Sequence, residues 1–140
     1  MRLPQLPPFT LVLLAFLLTS CDPEGIWIFG VSNESENELL VQYQISGDSA
    51  NSELLIAPGV CVQLHEYAGI GGLESKDDEE VPRVFETMQV MRSDSTAGLN
   101  FNALDGSRWD FHNVKTGRFV LVPVGENVYT LRVGENELEN

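Results

Sequence analysis

The chain has 140 residues, of which 21 are acidic and 8 are basic, so its formal net charge is −13. This length suits one domain and is large enough for a hydrophobic core. Nucleic-acid binding needs a basic surface. Because Arg2 is the only charged residue among the first 20, residues 21–140 are even more acidic than the whole chain. The composition therefore excludes nucleic acid as a partner.

The N-terminal segment has the features of a secretory signal peptide. Arg2 is followed by a Pro-rich stretch and by an apolar run at 9–18. A bilayer-spanning helix needs about 20 apolar residues, and this run has only half that length. One cation, a short apolar run and small residues at its exit are typical of a cleaved signal. We therefore expect residues 1–20 to be removed.

The apolar segment ends in Leu18-Thr19-Ser20-Cys21, which resembles the lipobox of bacterial lipoproteins. The resemblance implies that Cys21 carries a lipid and attaches residues 21–140 to a membrane of the cell envelope. The alternative is an ordinary signal peptide that has a cysteine nearby. Asp22 resembles the signal that retains enteric lipoproteins in the inner membrane. Other phyla use different signals, so the choice between inner and outer membrane stays open.

Residues 21–140 have a β-type composition, rich in Val, Gly and Asn. Short apolar runs alternate with turn clusters, which predicts an all-β fold: a small antiparallel β-sandwich, Ig-like or open-barrel, of about 7–9 strands.

Residues 81–91 fit two patterns. Apolar residues at helical spacing follow Pro82, which is tolerated at the first position of a helix, but Met88, Val90 and the turn after them also fit a strand. We expect one helical turn at 82–85, followed by a strand.

The predicted strands are 26–31, 39–46, 53–57, 60–67, 86–92, 99–104, 108–111, 118–124 and 127–133. The first is continuously apolar, so Trp27 is expected in the core. In the second, Gln42 and Gln44 alternate with apolar residues and are expected on the opposite face.

The strand at 60–67 alternates between apolar and other residues. This pattern predicts that Val60, Val62 and Leu64 face inward. The opposite face would carry Cys61, Gln63, His65 and Tyr67. Once Cys21 is lipidated, Cys61 is the remaining thiol and no intrachain disulfide can form. Its valine neighbours favour a small buried side chain; the alternative is an intermolecular bridge or a nucleophile.

Residues 69–82 interrupt the β pattern. A Gly-rich stretch is followed by Lys76 and four consecutive acids at 77–80. We expect an exposed, mobile acidic loop in which nothing packs. Calcium binding is a weaker alternative, because consecutive acids lack the alternating spacing of calcium loops.

The order of short motifs in residues 21–140 resembles small lipoproteins, without an assigned activity, of Bacteroidota-type genomes. The motifs are Gly-Ile-Gly-Gly at 69–72, Pro-Arg-Val-Phe-Glu at 82–86 and Tyr-Thr-Leu-Arg-Val at 129–133. The resemblance implies an envelope location and a β fold only. It also weakens the inner-membrane interpretation of Asp22, because such bacteria place many lipoproteins in the outer membrane.

No pattern in the sequence specifies a catalytic or metal site. Cys61 and His65 would lie about 13 Å apart along a strand, too far to share one ion. Ser107 and His112, with nearby acids, straddle a predicted hairpin turn, where such residues have structural roles. Trp109 is a candidate for an exposed binding contact, with packing favoured over it. His65 is a second candidate, as a surface imidazole. We expect no cofactor and no enzymatic activity.

These observations predict a lipid-anchored envelope protein that acts as a binding or structural module. Its partner would be an envelope protein or a glycan, contacted through loops at one end of the sandwich. The alternative is a small envelope hydrolase or a metal-dependent enzyme.

Overall fold

The computed structural model describes residues 24–95, 97–119 and 122–139. The predicted signal peptide and Cys21 lie outside these residues. Among the residues described, no helix is long and apolar enough to cross a membrane. The elements are β1 (Glu24–Asn33), β2 (Leu39–Ile45), β3 (Asn51–Ile56), β4 (Cys61–Ile70), α1 (Glu80–Val84), β5 (Phe85–Arg92), β6 (Asp110–Phe119) and β7 (Val122–Val133), with 3₁₀ turns at Gly106–Arg108 and Glu135–Glu137.

The seven strands form two sheets, in the orders β4-β1-β7-β6 and β3-β2-β5. This confirms the predicted all-β, sandwich-like fold and a strand number within the expected range. One pairing differs from the expected antiparallel arrangement, because β1 and β7 run parallel. A parallel pair needs a long connection between its strands, and here that connection contains the other five strands. The four-stranded sheet is therefore mixed.

The core between the sheets is built on aromatic rings. The ring of Phe29 in β1 stacks on Tyr129 of β7, with centroids 5.1 Å apart. It also meets Phe85 of β5 edge to face at 5.7 Å. Phe29, Phe85 and Tyr129 are fully buried. Phe29 therefore joins the two sheets, because Phe85 belongs to the three-stranded one.

A β-bulge in β4 reverses which side chains face the core. Gln63 and His65 pair with the consecutive residues Gly30 and Phe29, so Leu64 is the extra residue. A Cβ on Gly30 would lie 3.0 Å from the carbonyl oxygen of Val62, so glycine permits this close approach. After the bulge, Tyr67 points inward. The prediction that Tyr67 shares a face with Cys61 is wrong, because simple alternation cannot anticipate an inserted residue.

Tyr67 packs against Trp27 of the neighbouring strand. The ring centroids lie 5.2 Å apart and the planes differ by 1°, so the rings are stacked. Trp27 is itself buried, as its continuously apolar surroundings in the sequence predicted. This aromatic pair closes the core at the end of the sheet where β1 begins.

The helical turn and the strand after it are confirmed, as α1 and β5. Val81 and Val84 of α1 are buried. The predicted strand at 99–104 is wrong, because only isolated bridges, Met91 with Gly98 and Leu99 with Leu138, occur there. A 3₁₀ turn precedes β6, so the predicted 99–111 hairpin is absent from this described segment.

The last two strands have different limits from those predicted. Phe119 of β6 pairs with Val122 of β7, and the predicted turn at Gly125 and Glu126 lies inside β7. A Cβ on Gly125 would lie 2.1 Å from the carbonyl oxygen of Val114. Gly125 therefore permits the close approach of β6 and does not mark a turn.

The predicted acidic loop at 69–82, which we call the acidic segment, packs against the four-stranded sheet. The side chain of Asn127 accepts a hydrogen bond from the Glu74 amide (2.9 Å) and donates one to the carbonyl oxygen of Gly72 (3.1 Å). Asn113 donates to the carbonyl oxygen of Glu74 at 3.2 Å, and Gly72 is buried. The expectation that nothing in residues 69–82 packs is wrong. Composition indicates solvated side chains here, but these hydrogen bonds are made by the backbone of Gly72 and Glu74.

Candidate functional site

The structure buries the side chain of Trp109. Its ring lies 6.0 Å from Phe85 and 6.3 Å from Phe29, and its Nε1 donates to the carbonyl oxygen of Ala103 at 2.9 Å. Trp109 is 1% exposed. The hypothesis of an exposed contact at Trp109 is corrected, because the core needs this ring and its polar atom is satisfied internally. Packing, the favoured alternative, is what the structure has.

His65 lies on β4 and is half-buried. Its ring centroid is 6.2 Å from that of Tyr67, with the planes tilted by 35°. The bulge at Leu64 turns His65 and Tyr67 away from the face that carries Gln63. His65 therefore borders the aromatic pair, and its role in binding stays a prediction.

Cys61 is an exposed free cysteine at the start of β4. The prediction of a buried thiol is wrong, and so is that of an inward-facing Val60, which is 42% exposed. Both residues lie where the β3–β4 turn enters the sheet, with Cys61 opposite Ser32 near the end of β1. Apolar neighbours in sequence do not bury a residue at the end of an edge strand, because no further strand covers it.

The polar residues around Ser107 have structural partners. Both the amide and the hydroxyl of Ser107 donate to Asp105 Oδ1, at 3.0 and 2.6 Å. These hydrogen bonds lower the pKa of Asp105 and cap the 3₁₀ turn. Asp110 forms an ion pair with Arg132, and His112 is exposed. No group of three or more His, Cys, Asp or Glu residues that could hold a metal occurs within the described ranges.

A charged cluster that the sequence did not reveal connects β4 to α1. The hydroxyl of Tyr67 donates to Glu80, and Arg83 contacts both Glu80 and Asp77 at 3.0 Å. Burial is the main cause that raises the pKa of Tyr67, followed by the hydrogen bond and charge of Glu80. The side chain of Glu80 is itself largely buried. The cluster fixes α1 against the four-stranded sheet.

A polar groove of about 510 Å³ lies on the three-stranded sheet. Cross-strand rows build it: Gln42 of β2 stands between Glu53 of β3 and Gln89 of β5, and the row beside it holds Asn51, Gln44 and Thr87. We call it the outer-sheet groove. It is lined by Gln42, Tyr43, Gln44, Asn51, Ser52, Glu53, Thr87 and Gln89.

The outer-sheet groove offers amide groups and one carboxylate. Gln42 Nε2 donates to Glu53 Oε2 at 2.8 Å, and Gln44 Nε2 donates to the carbonyl oxygen of Asp48 at 2.7 Å. The hydroxyl of Tyr43 instead donates to the carbonyl oxygen of Leu64, in the other sheet, at 3.2 Å. Each glutamine amide also has a second N–H and a carbonyl oxygen, with which the groove can form hydrogen bonds to a neutral polar ligand. The alternation of Gln42 and Gln44 with apolar residues was the sequence signal for this face.

The chain matches no protein-family model, and comparisons with curated proteins and with solved structures also find no match.

Proposed function

We propose that this protein is a lipid-anchored component of the bacterial envelope, lipidated at Cys21, and that its outer-sheet groove binds an envelope glycan. The observation that carries the anchor is the run Leu18-Thr19-Ser20-Cys21 after a short apolar segment. Two or more acyl chains give stable membrane attachment, because each buried methylene contributes about 0.8 kcal/mol.

The position of the domain supports this anchor. β1 begins at Glu24, so only Asp22 and Pro23 separate it from Cys21. An extended chain spans about 3.3 Å per residue, so the tether is no longer than about 10 Å. β1 lies inside the four-stranded sheet, between β4 and β7. The anchor would therefore hold a central strand of the domain close to the membrane.

The chemistry of the outer-sheet groove supports a glycan ligand. Sugar hydroxyls both donate and accept hydrogen bonds, and a glutamine amide such as that of Gln42 or Gln89 offers one group of each kind. Glu53 adds an acceptor, which suits a neutral ligand better than an anionic one. We favour a binding role over catalysis, because the Ser107 hydroxyl already donates to Asp105 and Asp110 is paired with Arg132.

Metabolic labelling with an alkynyl fatty acid tests the anchor. Wild-type protein and Cys61→Ser are expected to incorporate the probe and to fractionate with membranes, whereas Cys21→Ser is expected to do neither. Cys61→Ser is the matched control because it removes the exposed cysteine and leaves the lipobox intact. Labelling of Cys21→Ser at the wild-type level would refute the lipoprotein proposal.

Co-sedimentation with purified peptidoglycan and other envelope polysaccharides tests the groove. The double variant Gln42→Ala/Gln89→Ala is expected to lose binding. Gln63→Ala removes an exposed glutamine on the other sheet, which donates to Glu66, and is expected to bind normally. Equal binding by both variants would exclude the outer-sheet groove as the glycan site.

A further inference from the structure

The end of the β6–β7 hairpin lies at the same level of the sheet as the predicted anchor. In the parallel pair, Ile26 of β1 stands beside Glu126 of β7. β7 begins at Val122, four residues before Glu126, and Cys21 precedes Ile26 by five. Since β1 and β7 run in the same direction, equal numbers of residues lead to equal heights along the sheet. A tether that continues β1 would bring Cys21 level with the hairpin end.

The hairpin end differs in composition from the rest of this acidic chain. Residues 119–124 are Phe, Val, Leu, Val, Pro and Val, and no acidic residue occurs between Asp110 and Glu126. Lys115 and Arg118, two of the seven basic residues after Arg2, immediately precede the run. An apolar run preceded by cations is a composition typical of membrane-interface segments.

A second apolar residue lies at the same end of the sheet. Ile70, the last residue of β4, pairs with Glu24, the first of β1. Its side chain is 79% exposed, the highest value among the exposed large apolar residues described. The opposite end of the same strand pair holds Cys61 and Ser32. Ile70 and the hairpin end therefore lie on the side of the domain where the tether emerges.

We propose that this end of the domain, which we define by Ile70, Phe119 and Val122 and call the membrane-facing end, contacts the lipid surface. The inference rests on the proposed anchor at Cys21, because the short tether keeps this end within reach of lipid. Contact removes apolar side chains from water. It leaves the outer-sheet groove, which belongs to the other sheet, free to bind a ligand.

The test imposes the tether chemically, so it does not depend on lipidation in cells. The chain from Cys21 contains the buried apolar core, which extends from Trp27 to Leu138. With Cys61→Ser, Cys21 is the only thiol and can be coupled to a maleimide lipid in phosphatidylcholine vesicles. Tryptophan is then introduced singly by Ile70→Trp, Phe119→Trp or Val122→Trp. Val60→Trp, an exposed site near the opposite end of β4, is the matched control.

Vesicles that contain brominated phosphatidylcholine quench a tryptophan that enters the lipid. The native Trp27 and Trp109 are buried and provide a constant background. We expect Ile70→Trp and either hairpin variant to emit at shorter wavelength and to be quenched more strongly than Val60→Trp, because interfacial apolar side chains enter the lipid. Val60→Trp is expected to change little. Val122→Trp serves as the hairpin probe if circular dichroism shows that Phe119→Trp does not fold.

Quenching of the hairpin probe no greater than that of Val60→Trp would overturn the proposal, even if Ile70→Trp is quenched. A blue shift that grows with protein concentration in the absence of vesicles would assign this end to a second copy of the chain, and would also overturn it. Failure of the proposed lipid anchor would appear separately, as unlabelled wild-type protein in the fatty-acid experiment.

Discussion

The phenol of Tyr129 is hydrogen-bonded to both backbone polar groups of Asp77. Its oxygen accepts from the Asp77 amide at 3.0 Å, and its hydroxyl donates to the Asp77 carbonyl oxygen at 3.3 Å. The same ring stacks on Phe29 in the core. A core aromatic of β7 thus reaches the acidic segment and holds its backbone. The carboxylates of this segment take no part in these two bonds.

Replacement of Asn127 is expected to destabilise the protein. Asn127→Ala removes a fully buried amide that bonds to Gly72, Glu74 and Asn113. Each buried group left without a partner costs about 1–3 kcal/mol, so the free energy of unfolding should fall by at least about 2 kcal/mol in urea titrations. Asn100→Ala, which removes one exposed hydrogen bond to Asn136, should cost less than about 1 kcal/mol. Equal losses would contradict a special role of Asn127.

Addition of one methyl group at Gly106 tests a second contact of the acidic segment, in which the backbone of Asp78 packs against Gly106. A Cβ at this position would lie 2.0 Å from the carbonyl oxygen of Asp78, which is backbone and cannot rotate away. We expect Gly106→Ala to lower the free energy of unfolding by about 1–3 kcal/mol, as overpacking does. At Gly98 the nearest neighbouring atom would lie 3.6 Å away, so Gly98→Ala is the control. If Gly106→Ala is as stable as this control, the segment does not pack as described.

Cys61 is expected to react rapidly with a thiol reagent in the folded protein. The reason is its exposure at the start of an edge strand. In a Cys21→Ser background Cys61 is the only thiol, and its rate of reaction with Ellman's reagent should be similar before and after unfolding in urea. Protection of the native thiol by a large factor would show that Cys61 is buried.

The stability of the fold is expected to fall in alkaline solution because of Tyr67. Burial and the interaction with Glu80 raise the pKa of Tyr67 above its ordinary value of about 10. Above that pH the unfolded chain loses the phenolic proton while the folded chain retains it. The unfolded state then binds fewer protons, so the free energy of unfolding decreases as pH rises. Below about pH 10 the contribution of Tyr67 is fully present.

Melting temperatures measured from about pH 8 to pH 12 check this expectation. Wild-type protein should lose more stability across this range than Tyr67→Phe. A smaller slope should persist in the variant, because burial also raises the pKa of Tyr129. An ultraviolet titration measures tyrosine ionisation directly. The chain has three tyrosines, and Tyr67 should lose its proton only at a pH well above its ordinary pKa. Identical slopes in wild type and Tyr67→Phe would refute the assignment.

The sequence predicted the features that depend on neighbours along the chain. A continuous apolar run located β1, and alternation of side chains located β2. Pro82, together with apolar residues at helical spacing, located α1. The buried position of Trp27 followed from its apolar surroundings. Strand and helix formation are encoded in such short windows, because the periodicity of side chains decides which face can be buried.

Only the tertiary structure decided the features that depend on distant partners. The inserted Leu64 turns Tyr67 inward onto Trp27. Gly125 lies inside a strand, where glycine lets the β6 backbone approach closely. The acidic segment, solvated by composition, is held through its backbone by Asn127 and Tyr129 more than 50 residues away. Every residue except proline carries the same backbone N–H and carbonyl groups, so a side-chain pattern does not identify the partners of these groups. Those partners are determined when the two sheets pack around a shared core.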